Sequence, residues 1–146
     1  DAYTETDDTM HTTGRILPVK DTSLDFTAPK PIGRDIGHAS LAATKGFDHN
    51  YVLPGQGRRL VARVYCPRTG IGMEVLTDQP AMQFYSGNFF DGKANGKYGK
   101  PLRYRESLAL ETQKYPDSPN HDNFPSTVLR PGEEYTQVCI YRFGVK

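Results

Sequence analysis

The sequence predicts an all-β, mostly antiparallel chain, and three observations carry that prediction. No segment sustains a helical period over about eleven residues, the shortest window in which such a period is diagnostic. Short runs rich in β-branched and aromatic residues alternate instead with Gly, Pro, Asn and Asp turns. Nine tyrosines and seven phenylalanines, with no tryptophan, suit a pleated, half-buried surface better than a helical bundle.

The runs follow in order. Arg15-Ile16-Leu17-Pro18-Val19 comes after a Thr13-Gly14 turn, and Leu24-Asp25-Phe26 stands before the Pro29/Pro31 pair. Ser40-Leu41-Ala42-Ala43-Thr44 has room for a single helical turn. Tyr51-Val52-Leu53 leads into Pro54-Gly55-Gln56-Gly57, whose glycines can supply the positive φ of a tight turn. Leu60 to Tyr65 and Ile71 to Thr77 flank Pro67-Arg68-Thr69-Gly70, which reads as a hairpin with a four-residue loop. Met82-Gln83-Phe84-Tyr85 follows, then a glycine- and lysine-rich loop from Asp91 to Lys100. Ser107 to Gln113 and Tyr135 to Phe143 complete the strands.

At 146 residues the chain has the length of one domain, with no internal repeat and no low-complexity linker. A formal net charge of +1 leaves no electrostatic case for a nucleic-acid or acidic-membrane partner. No apolar run approaches the ~20 residues of a membrane span, and the polar opening Asp1-Ala2-Tyr3-Thr4-Glu5 is not a signal peptide. Two cysteines are too few for a disulfide framework or a zinc site. Both Cys66 and Cys139 sit in apolar runs and are expected to be buried thiols, which points to a cytoplasmic setting. The chain opens without an initiator methionine, the beginning expected of a piece of something longer.

Alternation decides which polar residues can share a site. In Ser107-Leu108-Ala109-Leu110-Glu111-Thr112-Gln113 the leucines point one way, and Ala109, Glu111 and Gln113 the other. Such a face either lines a polar cavity or is simply solvated, and the spacing alone leaves both open. In Asp48-His49-Asn50, Asp48 and Asn50 share a face and can bind vicinal sugar hydroxyls, although Asp and Asn beside Gly also make ordinary turns. His49 faces away, with no second ligand at useful spacing. Gln83, Tyr85 and Phe89 share a parity, an amide beside aromatic rings, which suits sugar binding and equally a core strand. Phosphate-binding glycine loops, serine-nucleophile elbows and His-x-x-x-His spacings are absent. Asp91 to Lys97 lacks the alternating acidic ligands of a calcium loop, so no metal is expected.

Several of these segments together resemble the aldose 1-epimerases (galactose mutarotases). They are Gly46-Phe47-Asp48-His49-Asn50-Tyr51-Val52-Leu53, the run Thr77 to Phe89, Leu110-Glu111-Thr112-Gln113, and the closing stretch from Tyr115 through Tyr135. The resemblance implies a large antiparallel β-sandwich with an open sugar cleft, acting on a free aldohexose without a cofactor. It implies that Glu111 is the catalytic base and that Asp48 and Gln83 hold sugar hydroxyls. It further implies that residues 1–146 are the C-terminal portion of one sandwich domain. The family's two active-site histidines and a substrate-binding arginine belong to an N-terminal portion, on the same protein or a companion chain. His11, His38, His49 and His121 lie in other segments and do not replace them. Two other classes compete: a non-catalytic sugar-binding β-module, and a glycosidase with Asp48 as the second carboxylate.

Overall fold

Two antiparallel sheets pack face to face in the computed structural model, which describes residues 1–145. In chain order the strands are β1 (Ala2–Thr6), β2 (Thr12–Pro18), β3 (Asp48–Val52), β4 (Arg59–Tyr65), β5 (Ile71–Thr77), β6 (Ala81–Tyr85), β7 (Ala109–Gln113) and β8 (Cys139–Val145). The larger sheet has the order β2-β1-β3-β6-β7 and the smaller one β4-β5-β8. Every pairing is antiparallel, as the alternating sequence predicts.

Alternation places Tyr3, Tyr51, Met82, Phe84 and Leu110 on the inner face of the larger sheet. There they meet Ala62, Val64, Met73, Val75 and Cys139 of the smaller one. Phe47, fully buried just before β3, stacks on Phe84 at 5.1 Å, and Phe26 meets both rings edge-on at 5.2 and 5.8 Å. Aromatic pairs at these spacings add to plain area burial. A smaller cluster lies on the opposite face, where the chain after β7 folds back so that Tyr115 and Phe124 cover Ala81 and Val52. That segment shuts one end of the outer face and leaves the rest open.

Arg59 ties the corner between the sheets. Its guanidinium donates to the carbonyls of Leu53, Pro54, Gly57, Thr77 and Gln79 at 2.6–3.3 Å. One side chain thereby holds both the β3–β4 turn and the β5–β6 turn. The glycines expected to make the first turn do adopt positive φ, +83° at Gly55 and +66° at Gly57. The β4–β5 hairpin also forms as expected: the Cys66 N–H donates to Ile71 O and the Gly70 N–H to Cys66 O, both at 2.9 Å.

Three expectations need correction. Leu24-Asp25-Phe26 is not a strand. Turn bonds from Thr22 N–H to Val19 O and from Asp25 N–H to Thr22 O coil it, and its two apolar residues reach the core from a turn. Cys66 and Cys139 are unpaired but only half-buried: Cys66 stands in the β4–β5 hairpin turn, and Cys139, at the start of the edge strand β8, packs on the rim of the core. β1 was not anticipated at all. The run Ala2-Tyr3-Thr4-Glu5-Thr6 reads as polar text, yet it pairs on both edges, with Tyr3 inward and Thr4 buried beside Asn50. The helical turn expected at Ser40–Thr44 appears as a 3-10 turn at Ala39–Leu41, where the His38 imidazole accepts the Ser40 N–H. Among the described residues no helix is long and apolar enough to cross a membrane.

Candidate active site on the outer face of the larger sheet

Strand register builds the site. Asn50, Gln83 and Glu111 are direct partners across β3, β6 and β7, and so lie in one rung on one face. The neighbouring rungs are Asp48, Tyr85 and Ala109 on one side, and Val52, Ala81 and Gln113 on the other. The three residues singled out from the sequence, Glu111, Asp48 and Gln83, therefore share a face. With strands ~4.8 Å apart and two residues of offset, the Asp48 and Glu111 backbones stand about 12 Å apart with Gln83 between them.

Gln83 Nε2 donates to Asp48 Oδ1 at 2.7 Å, which orients the carboxylate and fixes the amide. The other end of that amide, Oε1, is buried and has no donor. A buried acceptor without a partner costs free energy unless a ligand or water supplies the proton. The Glu111 carboxylate is exposed and makes no hydrogen bond or ion pair among the described residues. Its charge is felt by Tyr141 on the neighbouring β8. Burial, the adjacent Cys139 and then Glu111 together push the Tyr141 phenol up to about 12, so it stays protonated and donates to Leu110 O at 2.6 Å. Glu111 is thus a charged group on a rigid strand, with both oxygens available.

Further side chains hold this row in place, some of them, such as Thr4, Ser86 and Asn88, not selected from the sequence as site residues. Asn50, 3% exposed, donates to Thr4 Oγ1 at 3.2 Å and accepts from Gln113 Nε2 at 3.3 Å. The second bond crosses β6, where Ala81 offers only a methyl group. The peptide before Asp48 is pinned from the segment after β6. Phe47 N–H donates to Ser86 Oγ at 3.0 Å, and Asn88 Nδ2 donates to Phe47 O at 2.8 Å. Gly46 fits there with φ +145°, and any Cβ would collide with the Asn88 and Ser86 side chains. The clue available in sequence was a Ser and an Asn after β6, both short side chains able to bond a backbone; nothing local named Phe47 as their partner.

Tyr85 and Phe89, which share a parity in the sequence, do come together. Their rings stack at 6.3 Å, the Phe89 N–H donates to the Tyr85 hydroxyl at 2.9 Å, and the Lys45 ammonium stands 5.4 Å from the Phe89 ring. They form an aromatic wall on the Asp48 side of the row. His49 faces the core, as its parity predicts. Its Nδ1 accepts the Asp48 N–H at 3.0 Å, and burial pushes its pKa down to about 4, which keeps it neutral near pH 7. His38 caps a turn, His11 bonds Thr9, and His121 packs on Phe124 at 4.9 Å, so none of the four bonds the side chain of Asp48, Gln83 or Glu111. No group of three or more His, Cys, Asp or Glu able to hold a metal occurs among the described residues. The arrangement offers a fixed acceptor, an oriented carboxylate and a free carboxylate on one open sheet face. That set can bind hydroxyls and move a proton.

Comparison with known proteins covers the same ground. The family model described as aldose 1-epimerase matches residues 1–142. Galactose mutarotase from Homo sapiens is 40% identical over 99% of this chain, a stretch that is 42% of the human protein. Aldose 1-epimerase from Escherichia coli K12 is 38% identical over 86% of the chain and 37% of its own length. Among solved structures, a GalM/aldose epimerase homologue from C. elegans aligns with a TM-score of 0.86 at 31% identity, covering 99% of this chain and 43% of that one. The chain thus spans less than half the length of the relatives it matches.

Proposed function

The chain belongs to the aldose 1-epimerase family, and from that premise we propose that it supplies the base side of a site interconverting the α and β anomers of a free aldose. The observation that carries this reading is the rung of Asn50, Gln83 and Glu111, with its unpartnered carboxylate beside a buried, donor-less amide oxygen. A sugar hydroxyl laid over this row reaches Asp48, which Gln83 orients, while Glu111 stands free for the anomeric centre.

The reaction needs two proton transfers on a hemiacetal. Glu111 takes the proton of the anomeric hydroxyl while an acid protonates the ring oxygen, and the ring opens to the aldehyde. Rotation about C1–C2 presents the other carbonyl face, and closure reverses the transfers. A carboxylate suits this work because it accepts a proton and returns it within one turnover, and a positioned group of this kind contributes ~10²–10⁴-fold. By the family resemblance the acid is a histidine from outside these 146 residues, a reading supported by His49 facing the core and by the other histidines bonding elsewhere. The substrate in this reading is an aldohexose of glucose or galactose type, whose C–H face rests on the Tyr85–Phe89 wall. Two unpaired thiols favour a reducing, cytoplasmic setting.

In the complete enzyme, Glu111→Gln lowers kcat by roughly 10²-fold or more with little change in KM, read by polarimetry on freshly dissolved α-D-glucose or α-D-galactose. An unaltered kcat rules out Glu111 as the base.

A further inference from the structure

Three successive carbonyls lead the chain into Asp48, and a side chain holds each of them. Asn88 Nδ2 donates to Phe47 O at 2.8 Å, and Thr44 Oγ1 donates to Gly46 O at 2.6 Å. Lys45 O accepts twice, from Arg105 Nη2 at 2.7 Å and from the Tyr104 hydroxyl at 3.1 Å. The same Arg105 nitrogen also donates to Ile36 O at 3.2 Å. Lys45 and Gly46 both stand at positive φ, +56° and +145°, so the backbone enters β3 by an irregular course that these bonds fix.

Arg105 makes its contacts at a local cost. It is a non-glycine residue in the left-handed region, at φ +59°, and its Nε is shut from solvent with no acceptor among the described residues. Such a conformation persists where the surroundings over-determine it, and it gathers at functional sites. The surroundings here are explicit. The Arg105 N–H donates to Gly87 O at 3.0 Å, and the guanidinium lies over the Tyr104 ring at 4.6 Å. A Cβ on Gly87 would meet Ser107 O at 2.8 Å, so the two ends of the β6–β7 loop close on each other. From that closure Arg105 leans onto the segment ahead of Asp48. Lys45, whose carbonyl it takes, also carries the ammonium that stands by the Phe89 ring.

We propose that Arg105 is a positioning residue for the sugar-holding half of the site. It acts on Asp48 at one remove: through the Lys45 carbonyl it fixes the backbone that presents the carboxylate. The inference rests on the reading that Asp48 holds sugar hydroxyls, and it adds what keeps that carboxylate in place before the sugar arrives. A guanidinium suits the task because each terminal nitrogen carries two donors in a fixed plane, so Nη2 alone spans two carbonyls. Glu111 is held by the regular pairing of β6 with β7, so the effect of Arg105 falls on sugar binding and not on proton transfer.

The test uses the complete enzyme with D-galactose as the probe, polarimetry giving kcat and KM and calorimetry giving Kd. Arg105→Gly removes the guanidinium, and glycine keeps the left-handed backbone without strain; circular dichroism checks the fold. KM and Kd should rise roughly tenfold while kcat changes by less than about threefold. In an Asp48→Asn background the same change should weaken binding by less than about twofold, because the two residues act in series. A residue that merely supported the fold would weaken both backgrounds alike. If the glycine variant does not fold, Arg105→Lys makes the comparison, since an ammonium keeps the charge without the planar pair of donors, and KM should again rise. An unchanged KM overturns the proposal, as does a fall in kcat at constant KM or an equal loss of affinity in the Asp48→Asn background. The two readings fail differently. A normal kcat in Glu111→Gln, beside weakened binding in Arg105→Gly, removes the base and leaves the positioning residue standing. An unaltered enzyme that neither binds nor anomerises the sugar removes both.

Discussion

Acidifying the chain from pH 7.5 to 5 removes about 2 kcal/mol of stability through His49 alone. The folded imidazole is pushed down to about 4 by burial, from an ordinary value of 6.5 in the unfolded chain. Well above pH 6.5 both states are neutral and the residue has no pH effect. Below it the unfolded state binds a proton that the folded state refuses until about pH 4, so stability falls as pH falls, by ~1.4 kcal/mol per unit at the steepest. The refusal comes from burial: the ring lies on the core side of β3, with the Tyr3 ring edge-on at 6.2 Å and the Asp48 N–H donating to Nδ1. Urea unfolding followed by circular dichroism at the two pH values measures the loss. The carboxyls of Glu5, Asp7, Asp25, Asp35, Asp78 and Asp91 are all held below their ordinary values, chiefly by hydrogen bonds, and they add a loss mainly below about pH 5. His49→Gln isolates the imidazole, since it keeps a polar side chain but cannot titrate. The variant should lose about 2 kcal/mol less than the parent over this range. An equal pH dependence in both proteins refutes the reasoning.

Other outcomes follow from the same structure. Phe47→Ala empties the stacked centre of the core and should cost ~3–5 kcal/mol by urea unfolding; a loss under about 1 kcal/mol would show that the core collapses around the gap. Combined with Phe84→Ala, it should show a coupling of about 0.5–1.5 kcal/mol in a double-mutant cycle. Gly46→Ala forces a Cβ into Asn88 and Ser86 at positive φ, and should destabilise by more than about 1 kcal/mol while weakening sugar binding, measured by calorimetry. The isolated chain should show little or no anomerisation by polarimetry, because it carries the carboxylate without the acid; rates near those of a complete enzyme would overturn that.

What the sequence disclosed was what a period of two can disclose. Parity alone put Asp48 and Asn50 on one face with His49 on the other, and it grouped Gln83 with Tyr85 and Phe89. The register that places Glu111 opposite Gln83 is a pairing between strands, and no local pattern states it. The same limit hid the supporting bonds, Asn50 to Thr4, Gln113 to Asn50 and Asn88 to Phe47, each of which joins residues 41 to 63 positions apart. Leu24-Asp25-Phe26 failed for the opposite reason: its apolar spacing fits a strand, but turn hydrogen bonds already satisfied its backbone. β1 carries good strand residues in polar company, and it becomes a strand only because β2 and β3 offer edges to both of its sides.

The Arg59 clamp bears on how far such a protein can drift. All five of its acceptors are backbone carbonyls, and every residue type has one. The side chains of the exposed β3–β4 turn are therefore free to vary, so long as Gly55 and Gly57 keep the backbone path, whereas in the β5–β6 turn Asp78 Oδ1 accepts the Val138 N–H at 3.0 Å and Thr77 Oγ1 donates to Val138 O at 2.8 Å. Arg59 itself has no such latitude, because only a planar fork reaches several carbonyls at once and a lysine ammonium does not. One fixed contact thus licenses variation in the β3–β4 loop, and insertions there should be tolerated up to the length at which its carbonyls leave the guanidinium's reach.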